Sequence, residues 1–137
     1  MSRVYASAAT ELVIPFHDVD MMGIVWHGRY AKYLELAREE MLGTIDYGIA
    51  QMKASGYAWP VVEMNIRYAQ ALRFEQRIRV QADLVEIEHR MKIAYRIFDV
   101  ESGRRLTRAY TTQVALDVAS GEMLFASPAV LLDKFRQ

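Results

Sequence analysis

The stretch His17-Asp18-Val19-Asp20-Met21-Met22-Gly23-Ile24-Val25-Trp26-His27 separates two periodicities, and its reading decides the fold. Before it, Leu12, Ile14 and Phe16 alternate with Val13, Pro15 and His17, the period of a strand with at least one apolar face. After it, from Trp26 to about Leu42, Tyr30, Leu34, Ala37 and Met41 recur at helical spacing, while Lys32, Glu35, Glu39 and Glu40 take other directions around the axis. Gly43 is the expected stop of that helix, because glycine tolerates the left-handed geometry common past a helix end.

Thr44 to Ser55 reads as a second short helix, with Ile45, Ile49 and Met52 at compatible spacings and Gly56 closing it. Beyond Trp59-Pro60 the chain reads as strands over Val61 to Tyr68, Arg73 to Val85, His89 to Val100 and Arg104 to Asp117. Ile78, Val80, Ala82 and Leu84 alternate with Arg77, Arg79, Gln81 and Asp83, and Ile93, Tyr95 and Ile97 alternate with Lys92, Ala94, Arg96 and Phe98. Glu101-Ser102-Gly103 is short enough for a hairpin turn with Gly103 at positive φ, and Ser120-Gly121 marks another. Hairpins make the sheet antiparallel, and one long helix then buries its apolar stripe only by lying across a face. The expected class is α+β, with residues 1–137 as a single domain.

The 137 residues hold no repeat, linker or low-complexity tract. Hydrophobic residues make up 53% and charged residues 25%, a globular balance whose apolar surplus points to an oligomer interface. Lys plus Arg equals Asp plus Glu at 17 each, so no net field draws the chain onto nucleic acid or an anionic membrane, and nucleic-acid binding is not expected. The absence of cysteine removes disulfides, thiolate nucleophiles and cysteine-ligated metal centres. The opening MSRVYASAATELVIPF lacks an uninterrupted signal-peptide core, and no run approaches the roughly 18 apolar residues of a membrane span; a cytoplasmic protein is the expectation.

The opening stretch also carries the chemistry. It places two carboxylates, two imidazoles and a glycine beside a helix start, where the first backbone N–H groups lack internal partners. Such amides, with the helix dipole, stabilise negative charge and suit a polarised carbonyl oxygen. Asp20 held nearby would attack that carbonyl or activate water, although by spacing alone a solvent-facing loop aspartate or a helix cap is the plainer reading. Asp18 reads as structural, accepting hydrogen bonds from the loop backbone. A neutral His27, with one donor and one acceptor, would position water or bind a substrate, beside the alternative of an ordinary helix-start histidine. Gly23 either makes the turn or lets a ligand approach the backbone. Glu35, on roughly the same helical face as His27, reads as solvated. His17 and His27 have no recognised metal spacing and His89 lies in a distant strand, so no metal is expected.

The segment Asp18-Val19-Asp20-Met21-Met22-Gly23-Ile24-Val25-Trp26-His27-Gly28-Arg29-Tyr30 resembles the pattern of the 4-hydroxybenzoyl-CoA thioesterase family of the hotdog fold. Leu34, Glu35 and Arg38 continue the helix of that family. Val61 to Tyr68, the hairpin at Gly103, and Thr111 to Asp117 before Gly121 and Pro128 extend the likeness over nearly the whole chain. The resemblance implies a long antiparallel sheet wrapped around a central helix, with two chains pairing their sheets into a homodimer or, doubled, a homotetramer. It implies a hydrolase that cleaves acyl-CoA thioesters, with coenzyme A as part of the substrate and no separate cofactor. Asp20 matches the catalytic aspartate, as nucleophile or general base, and His27 matches the histidine of the short-chain acyl-CoA branch. An amide near His27 would face the thioester oxygen.

Two departures accompany this likeness. Ala71 stands where proline is common, which implies a less stiff loop over Tyr68 to Phe74, and Glu88-His89-Arg90 is less basic than the usual coenzyme A phosphate contacts. Arg90 and Arg67 are the candidate phosphate ligands, with Arg104 and Arg105 behind them. Met22, Trp26, Tyr33, Tyr57, Trp59 and Met64 are the expected acyl pocket, which methionine makes adaptable. The alternatives are an acyl-carrier-protein thioesterase and a non-catalytic acyl-CoA-binding or biosynthetic protein on the same fold.

Overall fold

The computed structural model describes residues 3–136. Strand β1 spans Ala6–Val13 and is followed by the 3-10 turns Phe16–Asp18 and His27–Arg29. Helix α1 covers Tyr30–Thr44 and α2 Ile49–Ser55. The remaining strands are β2 (Tyr57–Ala58), β3 (Val61–Arg67), β4 (Arg77–Glu86), β5 (Met91–Asp99), β6 (Arg105–Gln113) and β7 (Leu116–Asp117), before the short α3 (Ala129–Leu132). Five strands form one antiparallel sheet in the order β1-β4-β5-β6-β3, while β2 pairs only with β7.

The alternation in β4 and β5 dictates which face is covered. Ile78, Val80, Ala82, Leu84, Ile93, Tyr95 and Ile97 are buried. They meet Tyr30, Leu34, Ala37 and Met41, the stripe of α1, which packs across β1 and β4. This is the α+β hotdog architecture, a long antiparallel sheet wrapped around a central helix, and it confirms the expected class. None of the helices among the described residues is long and apolar enough to cross a membrane.

Several boundaries differ from expectation for local reasons. Phe16 is not a strand residue: β1 stops at Val13, Pro15 has no N–H for a ladder, and the Phe16 ring is 73% exposed. The strand extends instead toward Ala6, through small residues of weak β-propensity, because β4 offers a partner for every position from Ala6↔Leu84 to Val13↔Arg77. Gly43 does not end α1; the helix runs on to Thr44, and Asp46 takes the left-handed turn at φ 57°. Gly56 closes α2 at φ 82° as expected. Arg73 to Gln76 stay outside β4, with Glu75 at φ 66° breaking the extended run. The last expected strand divides into β6 and β7.

The sheet has two unlike edges. At one, β1 lies beside α1. At the other, β3 has one neighbour only, and Val61, Val62 and Met64 are exposed along it. An exposed strand edge with apolar side chains is a template for pairing with another chain.

Burial makes the packing of α1 testable. Leu34→Ala empties a fully buried position and is expected to cost about 2–5 kcal/mol in urea unfolding, whereas Leu36→Ala, on the solvent side of the same helix, should cost roughly 0.5 kcal/mol.

Candidate functional site

The loop between β1 and α1 folds into a miniature hairpin. The Asp20 N–H donates to the Ile24 carbonyl at 2.9 Å, the Trp26 N–H donates to the Asp18 carbonyl at 3.2 Å, and Val19 bridges Val25. Gly23 turns the tip at φ 75°; nothing lies within 4 Å of where its Cβ would be, so backbone conformation rather than close approach calls for glycine here. A second layer of bonds ties the hairpin to the chain after β3: Val25 N–H to the Leu72 carbonyl at 2.8 Å, and Phe74 N–H to the Gly23 carbonyl at 2.9 Å. With the Gln70 N–H donating to the Leu106 carbonyl at 3.0 Å on the other side of Ala71, the segment is held by its neighbours without the proline.

Asp18 is buried, and its carboxylate does not accept from the loop backbone as expected. It receives Lys32 Nζ at 2.6 and 2.8 Å and the Tyr33 hydroxyl at 2.7 Å, with Arg29 at 4.0 Å and His17 at 3.7 Å. Burial pushes this carboxyl up, but the hydrogen bonds from Lys32 and Tyr33 and the nearby positive charge outweigh it and hold the group below the usual carboxylate range. The Tyr33 hydroxyl is pushed far up by burial and by its bond to Asp18, so it remains a donor. One side chain thus fastens the loop to the second turn of the helix region while its own carbonyl fixes Trp26.

Asp20 is exposed. Its Oδ1 accepts the Met22 N–H at 2.9 Å and the Ile24 N–H at 3.2 Å, and Oδ2 accepts nothing from the described residues. His27 is also exposed, in the 3-10 turn, with its ring centroid 5.1 Å from Trp26 and 6.3 Å from Tyr68. Its carbonyl accepts the Tyr30 N–H and the Tyr68 hydroxyl at 3.4 Å. Arg29 N–H returns to the Trp26 carbonyl at 2.9 Å, whereas the His27 and Gly28 amides donate to none of the described residues. Regular α-helix begins only at Tyr30, later than the expected Trp26, and the unpaired amides lie in the preceding turn. No hydrogen bond joins Asp20 to His27.

The arrangement offers an unpaired carboxylate oxygen and two fixed N–H donors on one anchored loop. Tyr68 and its edge-on neighbour Tyr30, 4.7 Å between centroids, support the His27 turn, a role that the strand-end and helix-stripe positions assigned to them in the sequence did not suggest. The only signal for them was aromatic residues at the helix start and at the end of β3.

The expected acyl pocket is not assembled within one chain. Tyr33 and Trp59 are core residues, tied respectively to Asp18 and, through the indole N–H, to the Tyr47 hydroxyl at 2.9 Å, while Met22, Trp26 and Met64 are exposed. The five cavities described in the chain are lined by none of these, nor by Asp20 or His27. Arg67 precedes Tyr68 and so lies at the His27 end of the sheet. Arg90 precedes Met91, which pairs with Gln113 and through it with Val61, at the opposite end; its guanidinium meets Glu86 at 3.2 Å.

A family model described as the thioesterase-like superfamily matches residues 14–135. The Synechocystis protein named "Putative esterase sll0410" is 34% identical over 125 residues, spanning 88% of this chain and 75% of that protein. The 1,4-dihydroxy-2-naphthoyl-CoA hydrolase of Thermosynechococcus vestitus is 26% identical over 107 residues, 77% of this chain and 73% of the relative. Among solved structures, Slr0204, a 1,4-dihydroxy-2-naphthoyl-CoA thioesterase from Synechocystis, superposes with a TM-score of 0.81 at 21% identity, covering 94% of this chain and 95% of that one, a likeness of fold.

The Asp18 clamp has a pH signature. Its folded carboxyl titrates below the unfolded value of about 3.9, so its stabilisation is complete above that pH and is lost as pH falls through the folded value. Asp18→Asn is expected to lose about 1–3 kcal/mol at neutral pH, with the gap to wild type flat down to roughly pH 5 and closing on further acidification. Denaturant unfolding of the two proteins across pH checks this; a gap that persists undiminished at the acid end contradicts the assignment.

Proposed function

The chain belongs to the thioesterase-like superfamily, and on that premise we propose that it hydrolyses acyl-CoA thioesters to a free carboxylic acid and coenzyme A. The observation that carries the proposal is the free Oδ2 of Asp20 on the loop that also fixes the unpaired His27 and Gly28 amides. A thioester oxygen set against those amides gains stabilisation as it becomes an oxyanion. Asp20 then adds its carboxylate oxygen to the carbonyl carbon, expelling the coenzyme A thiolate and leaving an anhydride for water to cleave, or takes a proton from water that adds instead. The thiolate is a good enough leaving group for one carboxylate and two amides to suffice. His27 orients the water or the departing sulfur.

The same reading takes the protein as a cytoplasmic homodimer, or a pair of dimers, built by pairing two β3 edges antiparallel about a two-fold axis. Such a pairing lays the Tyr68 and His27 end of one copy beside the Val61 and Arg90 end of the other, which is how Arg90 would reach a substrate that Asp20 of its own chain does not hold. Arg67 would serve from the same side as His27. The exposed Met22, Trp26 and Met64 then become walls of an acyl pocket between copies.

The test is thiol release from short, medium and aryl acyl-CoAs, run beside matched carrier-protein thioesters. Asp20→Asn is expected to lower kcat by about 10²-fold or more with its unfolding transition intact. A fully active Asp20→Asn protein contradicts the mechanism, faster turnover on the carrier-protein thioesters reassigns the carrier, and tight binding without turnover favours a non-catalytic protein.

A further inference from the structure

The outer face of the sheet, away from α1, carries an arrangement that packing does not explain. Arg67 of β3 lies directly opposite Arg108 of β6, and Arg108 directly opposite Arg96 of β5. Residues in register across antiparallel strands share a face, and neighbouring strands are about 4.8 Å apart. The alternation fixes which face: Tyr95, Ile97, Thr107 and Ala109 are buried toward the helix, and the three arginines are exposed on the other side. Like charges directly opposite one another destabilise a sheet, and here three stand in one row.

Counter-charge covers only one end of that row. Arg96 meets Asp83 at 3.1 Å, and the same carboxylate also accepts from Ser7 and Gln81. Arg67 and Arg108 form no ion pair among the described residues. Two further carboxylates, Glu63 and Glu86, lie two rows away in the row of Lys92: Thr112 donates to Glu63 at 3.4 Å, and Glu86, in register with Lys92, is paired with Arg90 at 3.2 Å. A groove of about 520 Å³ runs along the row, lined in part by Asn65, Arg67, Lys92, Arg96, Arg108 and Tyr110, with the Lys92 ammonium 4.6 Å from the Tyr110 ring centroid.

We propose that this groove is an anion site for a ligand bearing two or more linked phosphoryl groups. Guanidinium pairs bind phosphate oxygens in parallel N–H···O bonds, and a row of three with Lys92 beyond it matches a chain of phosphoryl groups better than a single carboxylate or sulfate. The ligand relieves the repulsion that the bare row imposes on β3, β6 and β5. Two sources share that chemistry: the nucleotide end of a coenzyme A thioester, or a free polyphosphate. The first rests on the proposed hydrolysis, whereas the anion site itself does not.

Calorimetric titration of the full chain with inorganic tripolyphosphate and with 3′-phosphoadenosine 5′-diphosphate tests the site. Wild type is expected to bind, Arg108→Gln to bind about tenfold or more weakly, and Lys53→Gln, an exposed cation on α2, to bind within about twofold of wild type. Without the anion, Arg108→Gln should melt no lower than wild type, because it removes repulsion and no partner. Steady-state kinetics then separate the sources: a KM raised by Arg108→Gln for a coenzyme A thioester but not for the matching pantetheine thioester assigns the substrate's own phosphates. An unchanged KM with lost tripolyphosphate affinity assigns a free polyphosphate. No binding to wild type beyond that of chloride at equal ionic strength overturns the proposal. So does Arg108→Glu changing the mass by light scattering while leaving tripolyphosphate affinity unaltered, since the row would then face a second copy.

Discussion

The buried carboxylate of Asp18 is the interaction on which the rest of this structure's candidate chemistry depends. It accepts from Lys32 and Tyr33 on α1, and its backbone carbonyl accepts from Trp26. Those bonds join the loop to the helix at two points, so the position of the His27 turn relative to Tyr30 is set by side-chain packing and not by the loop alone. A carboxylate buried without such partners would cost several kcal/mol. Here Lys32 keeps contact with water while neutralising it, which limits the desolvation penalty to one side of the pair. Asp20, only two residues away, spends Oδ1 on the Met22 and Ile24 N–H groups of the turn and keeps Oδ2 free among the described residues.

The sheet imposes the second constraint. A helix laid over β1 and β4 covers one part of the inner face and leaves β3 with a bare edge and half-open apolar side chains. The residues that would hold an acyl group are the ones that remain exposed, and the residues that look like pocket walls in sequence, Tyr33 and Trp59, are consumed by the core. The proposed edge-to-edge dimer would answer both facts at once, by pairing the open strand and covering the exposed apolar side chains beside it.

The sequence made some of this legible and hid the rest for physical reasons. Strict alternation from Ile78 to Leu84 and from Ile93 to Ile97, and the helical stripe of Tyr30, Leu34, Ala37 and Met41, survive into the structure because each is buried on one side only. The start of β1 was invisible, since its residues, such as Ala8 and Ala9, carry little propensity and take their conformation from β4. Asp20 and His27 stood out through the pattern of residues around them, yet their partners did not: Lys32 lies fourteen residues from Asp18 and Tyr68 forty-one from His27, separations that no local periodicity encodes. The arginine row was equally hidden, because Arg67, Arg96 and Arg108 come together only through strand order and register.

The loop's rigidity bears on how it could act on a carbonyl. Donors accelerate a reaction only when they stabilise the developing oxyanion more than the ground-state oxygen, and they do so best when no reorganisation is needed as charge appears. For the proposed reaction, what bears on that condition is how the His27 and Gly28 amides are held. They sit in a 3-10 turn closed by the Arg29 N–H and Tyr30 N–H bonds behind them, with Tyr68 bracing the His27 carbonyl and the Leu72 to Phe74 segment bracing the hairpin in front. The Trp26 ring lies over residue 28: a Cβ there would overlap the outer edge of the indole, so glycine lets the ring rest against the turn. A loop that had to fold around its ligand would spend binding energy on ordering itself, whereas here the bonds of Asp18, Asp20 and Gly23 have ordered it beforehand.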